Sequence, residues 1–232
     1  MKFRHIPARL PKLVRNGLKI RRILRADQTG VLRIWGLQRS GNHAIIVWLM
    51  NHLPGTVMHV NNAKVGRHPM YCDRQFHYDK PADPNSINHW LSYSHEDKRI
   101  PMPDTDWRPP VSVTQFASFI ILRDPFNWLA SRMRMVQQSS DRTFTPALGK
   151  LWIKDWQTYA EHVIALENEQ PAPIDYWVNY NRWCVDETYR EALIRQLGLT
   201  FTDAGRDTVS HWGGGSSFEG RSKDGRASEM KT

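Results

Sequence analysis

Apolar residues fall into short dense runs separated by polar, proline-rich stretches, and the runs are of two kinds. Val31 to Trp35 (Val-Leu-Arg-Ile-Trp) and Phe116 to Leu122 are nearly continuous and short, which predicts strands, the second covered on both faces. Thr56 to Val60, Trp90 to Ser94 and Ile174 to Tyr180 are further strand candidates. The apolar run from Ala44 to Leu53 follows a glycine-flanked loop and stops at Pro54-Gly55, which predicts a helix. The pattern is helical again from Pro125 to Met135. From Ala147 to Glu169 it places Leu148, Leu151, Trp152, Trp156, Tyr159, Val163 and Leu166 on one face. Asp186 to Leu197 predicts a helix that ends at Gly198. Asn61 to Asn88 and Lys98 to Pro110 read as irregular chain. Strands alternating with helices predict an α/β domain whose central sheet is mainly parallel and flanked by helices.

Composition adds a division along the chain. A length of 232 residues with 40% hydrophobic content and ten tryptophans suits one large domain. The net charge of +9 invites a nucleic-acid reading, but nine of the 32 basic residues lie between Met1 and Arg25, where no acid occurs. The rest is neutral, so no nucleic-acid partner is expected. Three segments follow: a basic amphipathic arm over 1–29, a body over 30–220, and a flexible tail over 221–232. In the arm, Leu10, Leu13, Val14, Leu18, Ile20 and Leu24 roughly follow helical spacing beside the cations. Residues 1–25 suit an anionic membrane surface, an acidic partner, or simple packing on the domain. No stretch approaches the roughly 20 apolar residues of a membrane span, and no secretory signal opens the chain, so a cytoplasmic, membrane-peripheral protein is expected. Cys72 and Cys184 form no disulfide framework, and the histidines have no zinc-like spacing, so no metal is assigned.

Two motifs carry candidate chemistry. Gly36-Leu37-Gln38-Arg39-Ser40-Gly41-Asn42-His43 has the spacing of a phosphate-binding loop, in which backbone N–H groups and a helix dipole favour an anion. The lysine and hydroxyl residue that an ATP-using loop carries after its second glycine are here Asn42 and His43. In the second motif, Ile120-Ile-Leu-Arg123-Asp-Pro125-Phe-Asn-Trp-Leu-Ala-Ser131, a strand delivers an arginine and a helix a serine eight positions later. A forked donor and a hydroxyl suit one phosphate.

With these two motifs in this order the sequence resembles the PAPS-dependent sulfotransferases, whose fold is a P-loop three-layer α/β domain. The resemblance implies that Arg39, Ser40, Gly41, Asn42 and His43 hold the 5′-phosphosulfate of PAPS, and that Arg123 and Ser131 hold its 3′-phosphate. Val178-Asn179-Tyr180 resembles the strand whose tyrosine approaches the adenine, and Ser216-Ser217-Phe218 a segment that lines the nucleotide. The Arg-Lys-Gly expected near the C-terminus is absent, with Arg221 and Lys223 as its nearest equivalents.

Sulfuryl transfer needs a base for the acceptor proton. His95 stands about where the family's catalytic histidine does, and Glu96 is its rival. Arg39 is the catalytic cation. Trp90 and Trp107 are candidates for an acceptor platform, while His77 and His89 read as surface histidines. The implied activity is transfer of a sulfuryl group from PAPS, without a metal, to an acceptor hydroxyl or amine. Arg-Ser-Gly in the loop and the arm point to a carbohydrate or glycolipid acceptor. The rival readings are a kinase-like phosphotransferase with an altered loop and a non-enzymatic polyanion-binding protein.

Overall fold

Val31, Leu32, Ile34 and Trp35 are all at most 2% exposed, and the strand that holds them, β1 (Gln28–Gly36), runs through the middle of a six-stranded sheet. The computed structural model describes residues 28–67, 69, 76–77, 88–101, 113–139, 143–210, 215 and 222–226. The other strands are β2 (Thr56–Val60), β3 (Phe76–His77), β4 (Asn88–Glu96), β5 (Val113–Leu122) and β6 (Tyr176–Asn179). Their order is β3-β2-β4-β1-β5-β6, parallel throughout except for β3, which pairs antiparallel with β2.

Five helices complete the fold: α1 (Asn42–His52), α2 (Pro125–Gln137), α3 (Pro146–Glu167), α4 (Tyr180–Val185) and α5 (Glu187–Gln196). Strand alternation divides them into two layers. Leu32, Ile34, Val57, Phe119, Ile121 and Val178 pack against Ile45, Trp48 and Leu49 of α1, Trp183 of α4 and Ile194 of α5. On the opposite face Trp35, Ile120 and Leu122 pack against Trp128 of α2 and Trp152, Tyr159 and Val163 of α3. The expected α/β architecture with a mainly parallel sheet is therefore present.

Several finer expectations change. Trp90 is 6% exposed and lies over Gly30, where a Cβ would come within 2.2 Å of the indole, so it is core and not an acceptor platform. His89 is 8% exposed, because β4 is flanked by β1 and β2 along its length. Leu151 is 60% exposed: the buried stripe of α3 steps by three and four through Leu148, Trp152, Trp156, Tyr159, Val163 and Leu166, and position 151 falls off it. Residues 174–180 do not form one strand, since Asn179 ends β6 and its side chain accepts the Arg182 N–H to start α4. The turn over residues 222–226, expected in the tail, is fastened to the body, with Gly225 N–H donating to Asp207 O at 3.0 Å and Val209 N–H to Asp224 Oδ1 at 2.9 Å. The basic arm, Trp107, Arg221, the side chain of His77 and Ser216, Ser217 and Phe218 lie outside the described residues. Among the described residues no helix is long and apolar enough to cross a membrane.

Candidate functional site

The connection after β1 leads to β2 on one side of the sheet, and the connection after β5 leads to β6 on the other. The carboxyl ends of β1 and β5 therefore flank a topological switch point, where parallel α/β sheets open a crevice. Both sequence motifs emerge there.

The loop from β1 to α1 is held tightly. Arg39 has φ 73° and Gly41 φ 83°, and Ser40 N–H donates to Leu37 O at 3.0 Å. Helices α2 to α5 are each capped by a side chain, from Asp124, Thr145, Asn179 and Asp186. The N-cap of α1 is Gly41, which has no side chain to offer its first-turn N–H groups. Asn42, where an ATP-using loop carries lysine, is 7% exposed and folded inward. Its Nδ2 donates to Leu37 O at 3.0 Å and to Glu96 Oε1 at 3.2 Å. The amide fills the space beside Gly36, where a Cβ would meet Asn42 Oδ1 at 2.1 Å.

Two guanidinium groups and a serine converge on this loop. Arg123, 7% exposed, donates from Nη1 to Arg39 O at 3.4 Å and stands 5.1 Å from the centroid of the Tyr180 ring. Arg39 donates from Nε to Ser131 Oγ at 3.4 Å and from Nη2 to Gly215 O at 3.3 Å. The tyrosine closes the loop from the side of β6, since a Cβ on Gly41 would lie 2.0 Å from its ring. Burial pushes the pKa of Arg39 down and so does the charge of Arg123, against the opposing pull of Glu96 and Tyr180. Two buried polar atoms at this point, Ser40 Oγ and Arg123 Nε, have no hydrogen-bond partner among the described residues. A cradle with paired cations, bare first-turn N–H groups and unspent donors suits an anion with several oxygens.

A second set of contacts, which sequence reasoning missed, fixes the cradle from behind. Asp97 accepts the Gln38 N–H at 2.8 Å and the Arg132 guanidinium at 2.7 Å, while Trp128 Nε1 donates to Gln38 O at 3.0 Å. Both backbone groups of Gln38 are thus clamped to β4 and α2. Asp124 and Asn181 exchange two bonds, of 3.0 and 2.7 Å, tying the turn that bears Arg123 to the helix that bears Tyr180. These partners are 57 to 90 residues apart, and no local spacing signals them. The only trace in the sequence is adjacency: Asp97 follows Glu96, and Arg132 follows Ser131.

The candidate bases separate. His95 is 1% exposed, stacks on Trp35 at 4.1 Å and has Nδ1 2.9 Å from Ala63 O, so its ring is enclosed on the face opposite α1. Glu96, at the end of β4, is the member of the pair that touches the loop, through Asn42. Burial raises its carboxyl above the usual range; the Asn42 bond, Arg132 and Arg39 work against this and Asp97 with it. His43, second residue of α1, shares a side-chain hydrogen bond with Asn61, while burial and Arg39 push its pKa down. No family model, curated protein or solved structure matches the chain.

Proposed function

We propose that this protein is a P-loop sulfotransferase that moves a sulfuryl group from PAPS to an acceptor hydroxyl or amine. The observation that carries the reading is the convergence of Arg39, Arg123 and Ser131, 84 to 92 residues apart, on one uncapped helix start at the switch point. The loop and the start of α1 receive the 5′-phosphosulfate, Arg123 and Ser131 the 3′-phosphate, and the Tyr180 ring lies beside the nucleoside. In the transfer, the acceptor oxygen or nitrogen bonds to sulfur as its proton passes to a base. The sulfur–oxygen bond to the 5′-phosphate breaks with its electron pair going to the phosphate. Arg39 offsets the negative charge that gathers on the leaving group.

The kinase-like reading has less support, because the side chain at position 42 is spent on Leu37 and Glu96 and position 43 offers no metal-binding hydroxyl. A polyanion-binding role finds little in a chain that is neutral beyond Arg25. The acceptor we favour is a carbohydrate or glycolipid, reached from a cytoplasmic, membrane-peripheral position. The test is thermal unfolding with 3′-phosphoadenosine 5′-phosphate (PAP), with ATP and Mg²⁺, or with heparin. PAP is expected to raise the melting point without Mg²⁺, since a ligand that prefers the native state stabilises it. A rise with ATP and Mg²⁺ alone, or with heparin alone, overturns the assignment.

A further inference from the structure

Beside the loop, on the flank away from Arg123, a buried row of polar groups ends on a histidine. Ser92 and Ser94 of β4 and His59 of β2 are at most 4% exposed. They lie in register on the face that carries Val57 and Trp90 against α1. His59 Nδ1 is 3.0 Å from Ser92 Oγ, and its Nε2 is 3.5 Å from Ser94 Oγ. Ser94 Oγ donates to Asn61 Oδ1 at 3.1 Å and accepts the Asn62 N–H at 3.2 Å. Asn61 in turn bonds the ring of His43.

Proton counting orients the row. Ser94 has one hydrogen and gives it to Asn61, so the amide oxygen of Asn61 is the atom turned to the row, with a second lone pair to share. The Asn61 bond favours the charged form of His43, as a bond from a ring N–H to an amide oxygen does. A neutral imidazole that donates one N–H has its other ring nitrogen as a proton acceptor. Among charged groups, Arg39 acts on the ring and, with burial, keeps it neutral; His59 stands at the far end of the row.

We infer that His43 is the general base that takes the acceptor proton, and that Asn61 is the positioning residue that sets its tautomer. The inference rests on the sulfotransferase reading. The donor side of the cradle, Arg123 and Tyr180, lies toward β5 and β6, whereas Asn61 follows β2 on the other side of β1. An in-line attack on sulfur comes from the side opposite the leaving phosphate, which is the flank His43 occupies. His95 is enclosed against Trp35, and Glu96 serves as counter-charge to Arg39 and as partner of Asn42. A primed base matters most for an aliphatic hydroxyl, such as that of a sugar, because such a group is scarcely ionised near neutral pH.

The test measures sulfate release from labelled PAPS to water and to methyl glucoside, with PAP affinity from calorimetry. His43→Gln is expected to lower turnover roughly 10²- to 10⁴-fold while PAP affinity holds. The rate of the wild type falls as acid protonates His43. Asn61→Leu removes a bond that favours the protonated ring, so the acid limb moves to lower pH; Asn61→Asp adds a carboxylate and moves it to higher pH. A merely structural Asn61 gives no such opposed shifts, and their absence overturns the proposal even if His43→Gln fails to fold. Retained turnover in His43→Gln, or its loss in Glu96→Gln or His95→Gln alone, moves the base elsewhere and also overturns it. So does a fall in PAP affinity that matches the fall in rate, which makes His43 a phosphate ligand. A wild type that binds PAP but releases sulfate to neither acceptor sinks the base assignment and leaves the donor site standing. A wild type that does not bind PAP sinks both.

Discussion

Gly41→Ala is the substitution whose cost the geometry defines best. The residue has φ 83°, and the new methyl would lie 2.0 and 2.2 Å from two carbons of the Tyr180 ring. The left-handed backbone alone costs a non-glycine residue about 1 to 2 kcal/mol. The ring cannot retreat cheaply, because it stacks on Trp183 at 6.1 Å and is the first residue of α4. Forcing it aside adds about 1 to 3 kcal/mol, the usual penalty for overpacking. The expected loss is therefore about 2 to 5 kcal/mol, or roughly 4 to 20 °C in melting temperature for a chain of this size. Arg123 stands 5.1 Å from the same ring, so PAP affinity falls as well. Urea unfolding of Gly41→Ala, Tyr180→Ala and the double variant separates the two contributions. With the ring gone, Gly41→Ala should cost only the backbone part, leaving a coupling of about 1 to 3 kcal/mol. Additive single and double variants would refute the contact, and with it the claim that Tyr180 closes the loop.

Two further outcomes follow from the same contacts. Arg123→Ala is expected to weaken PAP binding by about 1.5 to 3 kcal/mol, the range for hydrogen bonds to charged groups, or roughly 10- to 150-fold in Kd; unchanged affinity in a folded variant removes Arg123 from the donor site. Glu96→Gln is expected to stabilise the protein at about pH 8 and to match the wild type at about pH 4. Burial raises the folded-state pKa of Glu96, so the wild type loses stability as pH rises through that pKa, whereas glutamine keeps an oxygen for Asn42 and cannot ionise. Equal melting points at both pH values would show that the carboxylate is not strained by burial.

The sheet was legible because its chemistry is local. Strands β1 and β5 are covered on both faces and therefore read as unbroken apolar runs, and the buried stripe of α3 repeats at helical spacing over 22 residues. Elements whose limits depend on one side chain were not legible. Residues 174–180 look like one aromatic strand until Asn179 caps α4, and β3 has only two residues to signal it. Polarity misled at β4, where Ser92, Ser94, His89 and His95 suggest a wet edge but are all buried between neighbouring strands. A buried polar strand is paid for by partners such as His59, Asn61 and Ala63, which no spacing rule connects to it.

The site has a different kind of legibility, because it lies where local rules are broken. Four helices begin with a capping side chain, and the fifth, at the phosphate loop, begins with a bare glycine. Arg39 and Asp97 both adopt positive φ without being glycine, at 73° and 53°, and both sit at the cradle. Such backbone costs on the order of 1 to 3 kcal/mol per residue and persists only when the surroundings over-determine it. Here they do: Asp97 N–H bonds Gly36 O at 3.0 Å while its carboxylate grips Gln38 and Arg132. The strain at residue 97 therefore serves the loop, holding it open at Gln38 while Arg39 turns its guanidinium inward toward Ser131. The sequence shows the glycines and the arginine of this arrangement. That Asp97 is what fixes it follows only once β4 is seen to end beside β1, in register from Gln28 with Asn88 to Gly36 with Glu96.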